Sequence, residues 1–149
     1  MNLITKASVD INQPISVVFD YVSNMERFEN WFPEVISIKS ANDMMHGDIG
    51  KEYFEKVNIP VRGEKRIKIT VKEVEDNKRF VTEGSFPPLL PRMEISLTEN
   101  NLESCTLNYR MYSRNNNPLV RIFLLPIAKI VMSKRATKGV SNLKYKLET

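Results

Sequence analysis

His46 and Cys105 are each the only residue of their kind in the chain, and together they bound the chemistry open to it. A zinc site of usual composition draws several His and Cys ligands, so the count excludes one here. A Ser-His-Asp arrangement would have to use His46, and nothing in the sequence sets a serine beside it. His46 stands in "NDMMHGDIG", a polar turn between strand-like segments, and reads as a solvated loop histidine. Cys105 alternates with Leu107, Tyr109 and Met111, which marks it as a small buried residue; no neighbour would lower its pKa and make it a nucleophile. There is no phosphate-binding loop and no GxGxxG, and the five glycines are scattered. General acid–base work needs a titratable group held inside the fold, yet the strand-like segments carry most of their acids and bases on the solvent parity. No catalytic residue is assigned, and no metal or cofactor is expected.

What the chain offers instead is apolar surface. "NPLVRIFLLPIAKIVM", residues 117–132, is its most hydrophobic stretch. With Arg121 and Lys129 inside it, this run falls short of the roughly 20 apolar residues a membrane span needs. It is apolar around most of its circumference, so burying one stripe would not hide it. One face should cover a sheet; the other, with Val120, Leu124, Ile127 and Val131, needs a separate explanation.

The elements around it follow from periodicity. Residues 3–12 alternate as a strand, and "QPISVVFDYVSN" reads as a helix opened by Pro14. "MERFENWF" reads as a short second helix. Strand-like segments follow at 34–41, 50–59, 64–75, 79–86, 92–99 and 102–114, with "EDNK" and "ENNL" as hairpin turns. In 50–59 and 79–86 the inward parity stays open. Asn117 suits a helix N-cap and Pro118 the first helical position, with Pro126 expected to kink the helix and Gly139 a second weak point. Beyond it, Ser133, Thr137, Val140, Leu143 and Leu147 form the expected inward stripe. The result is an α+β arrangement in a single domain spanning 1–149.

Composition agrees. Hydrophobic residues make up 42% of the 149 and charged residues 27%, enough for a core and too mixed for a disordered chain. The net charge of +4 sits in the C-terminal segment: from Asn115 onward seven Lys/Arg face one acid, whereas the preceding residues carry 15 basic and 17 acidic side chains. The N-terminus shows no basic-then-apolar secretory pattern, and a lone cysteine suits a reducing compartment, so a cytoplasmic location is expected.

Two segments carry a resemblance. "VDINQPISVVFDYVSNMERFENWFPEVISI" is similar to the opening of START-like (SRPBCC) domains, through Pro14, Val18, Phe19, Tyr21, Trp31, Pro33 and Val35. "SNLKYKLE" resembles their close. The nearest branch is the polyketide cyclase/dehydrase and lipid-transport group. The resemblance implies a helix-grip fold: a seven-stranded antiparallel sheet wrapped around a long C-terminal helix, with two short helices after the first strand. It also implies an apolar ligand held between sheet and helix, and by analogy "NIPVRGE" and "FPPLLP" become mouth loops.

The expected cavity lining combines strand parity with that analogy: Met93, Leu107, Tyr109, Met111, Phe123 and Ile127, with Phe86 and Leu90 at the mouth. Trp31, Tyr53 and Tyr109 are the candidates for a polar edge. The expected partner is an apolar small molecule (a lipid, isoprenoid or polyketide-like compound) that the protein binds or transports. A cyclase or dehydratase using the same cavity is the enzymatic alternative, and a membrane or protein interaction module the third. Arg121, Lys129, Lys134 and Arg135 are expected to rim an apolar mouth for transient contact with anionic membrane. A homodimer hiding the same surface is the competing explanation, and a nucleic-acid partner is not expected.

Overall fold

The computed structural model describes residues 1–149. Seven strands form one sheet: β1 (Asn2–Ile11), β2 (Val35–Ser40), β3 (Glu52–Ile59), β4 (Gly63–Glu75), β5 (Arg79–Ser85), β6 (Pro91–Asn101) and β7 (Ser104–Ser113). Their order is β1-β7-β6-β5-β4-β3-β2, and every neighbouring pair is antiparallel. Between β1 and β2 lie helix α1 (Ile15–Val22) and a 3₁₀ turn (Met25–Asn30). Asn24 caps that turn, its Oδ1 accepting from the Glu26 N–H at 3.0 Å. β7 begins later than its apolar alternation suggests, because Asn101 Oδ1 accepts from the Glu103 N–H and holds a turn there.

The C-terminal helical segment starts where expected, with Asn117 Oδ1 accepting from the Leu119 N–H at 2.9 Å. Pro126 then leaves its mark. Val120–Leu124 form a π-helical turn, and the Leu125 N–H reaches back five residues to the Val120 carbonyl. Proline has no N–H and crowds the carbonyl four residues before it, so the preceding turn widens. Helix α2 (Leu125–Glu148) continues from there.

The second half of α2 is pinned along β1. Ser133 and Thr5 hydroxyls meet at 3.0 Å, Lys144 Nζ donates to the Asp10 carbonyl at 2.6 Å, and Gln13 Nε2 donates to the Leu147 carbonyl at 2.6 Å. The buried stripe of this half is Ala136, Gly139, Val140 and Leu143. Ser133 and Thr137, expected in that stripe, are exposed. The small residues took their place because the helix comes close. Gly139 is no weak point but a contact: a Cβ there would lie 3.2 Å from Phe32 Cδ1. Under this half the interior is solid, with Ile11, Ile95, Cys105, Leu107 and Tyr109 in one cluster with Ala136, Val140 and Leu143.

Candidate functional site

Where the helix carries larger side chains, it stands off the sheet. A cavity of about 340 Å³ opens between the sheet and the first half of α2. The strands contribute Glu55, Val57 and Ile59 (β3), Ile67 and Ile69 (β4), Thr82 and Gly84 (β5), Met93 (β6) and Met111 (β7). Met25, Phe28 and Phe32 close the inner end, the two rings stacked with centroids 4.7 Å apart. The helix contributes Leu124, Ile127, Ala128, Val131, Met132 and Arg135. The mouth is bounded by Pro60 and Arg62 after β3, and by Phe86, Pro88 and Leu89 after β5. This second loop is tied down by the end of β7: Ser113 Oγ donates to the Leu89 carbonyl at 2.5 Å and Asn115 Nδ2 to the Pro88 carbonyl at 2.8 Å.

Of the ten residues expected to contact a ligand, Phe86, Met93, Met111 and Ile127 line this cavity. The other six do not. Leu107 and Tyr109 share the inward parity of β7 with Met111, but they sit beneath the half of α2 that closes on the sheet. Both are fully buried there. Phe123 turns outward and is 68% exposed. Leu90 lies with its backbone bonded to Phe86 and Arg114 and its φ at 51°. Trp31 packs edge-on against Phe28, centroids 4.9 Å apart, one layer behind the cavity wall. Tyr53 lies outside the cavity, buried in the core on the same face of β3 as Glu55, its hydroxyl 2.7 Å from His46 Nδ1.

That last contact also adds to the reading of His46, a loop histidine that is exposed to solvent and yet held at both ring nitrogens. Its Nε2 lies 3.3 Å from Glu26 Oε1, and its ring stacks on Tyr53. The carboxylate needs a donor, so Nε2 carries the proton and Nδ1 accepts from the tyrosine hydroxyl. Burial holds the Tyr53 phenol at about 12, so this chain ties the 41–51 loop to the sheet and offers no phenolate near neutrality.

The polar groups that do line the cavity are different ones. Glu55 is buried there, with no hydrogen bond or ion pair to its carboxyl. Burial pushes its pKa up to about 7, while the positive charge of Arg135 pulls it part of the way back. Arg135, expected on the outer rim, turns inward, and its Nη2 donates to the Asn58 carbonyl at 3.3 Å. The Tyr109 hydroxyl is buried without a partner, its ionisation disfavoured first by burial and then by the charge of Glu55. Sequence reasoning passed over Glu55, yet parity carried a signal. In "EYFEKVNI" the set Tyr53, Glu55, Val57, Ile59 is the more apolar, and Phe54 faces out beneath the Arg66 guanidinium at 3.7 Å.

Two surfaces flank the mouth. Leu119, Ile122, Phe123, Ile127 and Ile130 are exposed on the helix, interspersed with the exposed Arg121 and Lys129. The faces of this segment are thus largely exchanged relative to expectation: Leu124 and Val131 look into the cavity, and Ile127 stands at its edge, lining it while 62% exposed. At the β3–β4 turn, Val61 stands fully in solvent with φ 69°. No helix is long and apolar enough to cross a membrane. No three of His, Cys, Asp and Glu come together as a metal site.

Comparison with known proteins agrees with this architecture. A family model described as polyketide cyclase / dehydrase and lipid transport matches residues 3–148. No curated protein matches the chain. Among solved structures, the di-domain ARO/CYC StfQ from the steffimycin biosynthetic pathway superposes with a TM-score of 0.75 at 11% identity, over 99% of this chain and 51% of that one. A START superfamily protein from Mycobacterium smegmatis gives 0.69 at 13% identity, over 97% and 96%. A protein from Thermobifida fusca gives 0.72 at 16% identity, over 95% and 91%.

Proposed function

The chain belongs to the polyketide cyclase/dehydrase and lipid-transport family, and from that premise we propose that it binds and carries an apolar small molecule in the cavity between sheet and helix. The observation that carries the reading is the cavity itself: about 340 Å³, walled mainly by aliphatic and aromatic side chains. That is within the range of small-molecule sites. Removing a ligand's apolar surface from water there contributes roughly 25 cal/mol per Å². Native mass spectrometry of the freshly purified protein tests it. A co-purifying mass lost on mild denaturation supports the reading, and a protein that takes up no apolar compound opposes it.

Delivery or collection at an anionic membrane completes this reading, through the exposed Leu119, Ile122, Phe123 and Ile130 beside the mouth. Arg121, Lys129 and Lys134 supply the charge complement, each contributing about 1 kcal/mol near such a surface. Vesicle sedimentation should show binding to phosphatidylserine-containing vesicles that salt weakens and that Arg121→Glu with Lys129→Glu reduces. If the parent ignores those vesicles at low salt and elutes as a dimer, the same face is a subunit interface.

One observation favours a second reading. Glu55 is a titratable group inside the cavity, which a cofactor-free cyclase or dehydratase would need as its acid or base. Turnover of a polyketide-like substrate that Glu55→Gln abolishes would establish it.

A further inference from the structure

Three charged side chains interrupt an otherwise apolar wall: Glu55 from β3, Arg62 from the β3–β4 turn and Arg135 from α2. Of these, Glu55 is the one that is buried, and its carboxyl has no partner in the protein. Its carboxyl opens onto the cavity, where ionisation with no partner from the protein is costly, and a ligand group that bonded to it would lower that cost. Arg135 stands across the cavity, too far for a direct ion pair and near enough for its charge to act on Glu55. The Arg135 guanidinium has one protein acceptor, the Asn58 carbonyl, and keeps N–H groups to spare.

We propose that the ligand is an apolar compound with a terminal hydroxyl, and that this hydroxyl sits between Glu55 and Arg135. The inference rests on the reading that the cavity binds an apolar small molecule, and it adds the head-group chemistry. A hydroxyl both donates and accepts, so it donates to the Glu55 carboxylate while accepting from the Arg135 N–H. A hydroxyl does so through a single oxygen, where a carboxamide would need two atoms, and at pH 8, with Glu55 ionised, the other simple head groups fail one side or the other. A carboxylate would confront Glu55 with a like charge, an ammonium would confront Arg135, and an ether or hydrocarbon would leave Glu55 without a donor. The cavity volume suits a body on the order of ten non-hydrogen atoms, at ~30 Å³ for each water-sized portion of space.

The experiment uses the full chain with 1-decanol, its near-isostere nonyl methyl ether, and decanoate. Binding at pH 8 is read from native mass spectrometry and from the fluorescence of Trp31. This sole tryptophan packs on Phe28, whose ring lines the cavity. The expected result is that 1-decanol binds about tenfold more tightly than the ether or decanoate, and that Glu55→Leu abolishes the preference while the ether still binds. Glu55→Gln provides a second readout should the leucine variant fold poorly. Affinity of the parent for 1-decanol should rise from pH 6 to pH 8, because the carboxylate is the better acceptor, and the profile of the glutamine variant should be flat. Arg62 and Arg135 are the other charged groups that face the cavity, and the Tyr109 phenol of β7 is pushed upward by burial, so Glu55 is the one carboxyl in the lining. Equal affinity for alcohol and ether, preference for decanoate, or a preference that survives Glu55→Leu overturns the head-group assignment while leaving the cavity reading in place. If none of the three probes binds either protein, both fall.

Discussion

Glu55 should make the ligand-free protein less stable at mildly alkaline than at mildly acidic pH, against the trend of its surface carboxylates. In the folded chain its pKa is about 7, against an ordinary 4.5. Below both values folded and unfolded chains each hold the proton, and nothing changes with pH. Between them the unfolded chain has released the proton and the folded chain has kept it. The folded state therefore binds more protons, and stability falls as pH rises through that window. At 1.36 kcal/mol per pKa unit, the full loss is about 3 kcal/mol, most of it between pH 5 and pH 8. The side chain is buried, so solvent screening removes little of this.

Urea unfolding of parent and Glu55→Gln at pH 5 and pH 8 isolates the effect. The glutamine keeps the shape and cannot ionise, so the parent should lose about 2–3 kcal/mol more than the variant on going from pH 5 to pH 8. With urea slopes of about 1–3 kcal/mol per M, the difference amounts to a midpoint shift on the order of 1 M. Carboxyls held below the ordinary value act in the opposite sense. Glu73, bonded to Arg92 and Arg79, is one, and it contributes equally to both proteins. Parallel pH profiles for parent and variant would refute the reasoning, for they would mean that Glu55 finds water or a partner on ionising.

Three further substitutions separate the cavity from the solid core and the mouth from both. Ala128→Phe, at a lining position, should abolish uptake of an apolar ligand with little change in melting temperature, whereas Leu107→Ala should cost about 2–5 kcal/mol of stability and leave the cavity wall intact; the pair is checked by thermal melts alongside native mass spectrometry. Val61→Gly should stabilise the protein by about 1 kcal/mol in urea unfolding, because a β-branched residue at φ 69° is strained and a fully exposed side chain has no packing to lose.

The elements were legible because each is written in a period its neighbours do not contradict. Residues 93–97 of β6 and 105–111 of β7 alternate strictly, β1 and β4 do so apart from a bulge, and the Asn117 cap and the turn at Asn77 are local chemistry. The cavity lining was less legible, since parity says which way a side chain points and not how far away the opposing layer stands. Leu107, Tyr109 and Met111 share one parity on β7, yet only Met111 meets open space. The difference lies in α2, where Ala136 and Gly139 let the helix settle onto the sheet and Val131, Met132 and Arg135 do not. Arg135 was misjudged for a related reason: a basic residue on a basic helix looks like solvent surface until its stripe is traced back through Ala128 and Val131.

Several departures from good folding practice stand together around the cavity and its mouth. An unpaired carboxyl is buried at Glu55, a strained valine stands in solvent at Val61, and Leu90 is held at positive φ. A helix presents Ile122, Phe123 and Ile130 to water. Each lowers stability or solubility, whereas the opposite end of the same helix is bonded along β1 over a close-packed core, where the unpartnered Tyr109 hydroxyl and the exposed Tyr145 are the departures. Natural chains break local rules chiefly where function demands it. The four features share a location and not a structural cause: one is on β3, two are in separate turns, and one is on the helix. What they have in common is the cavity and its mouth. A ligand with an apolar body would cover the open wall, its head group would pair Glu55, and an apolar surface laid against the mouth would cover Val61 and Phe123 together. One occupied state thus relieves defects that the empty protein has to carry.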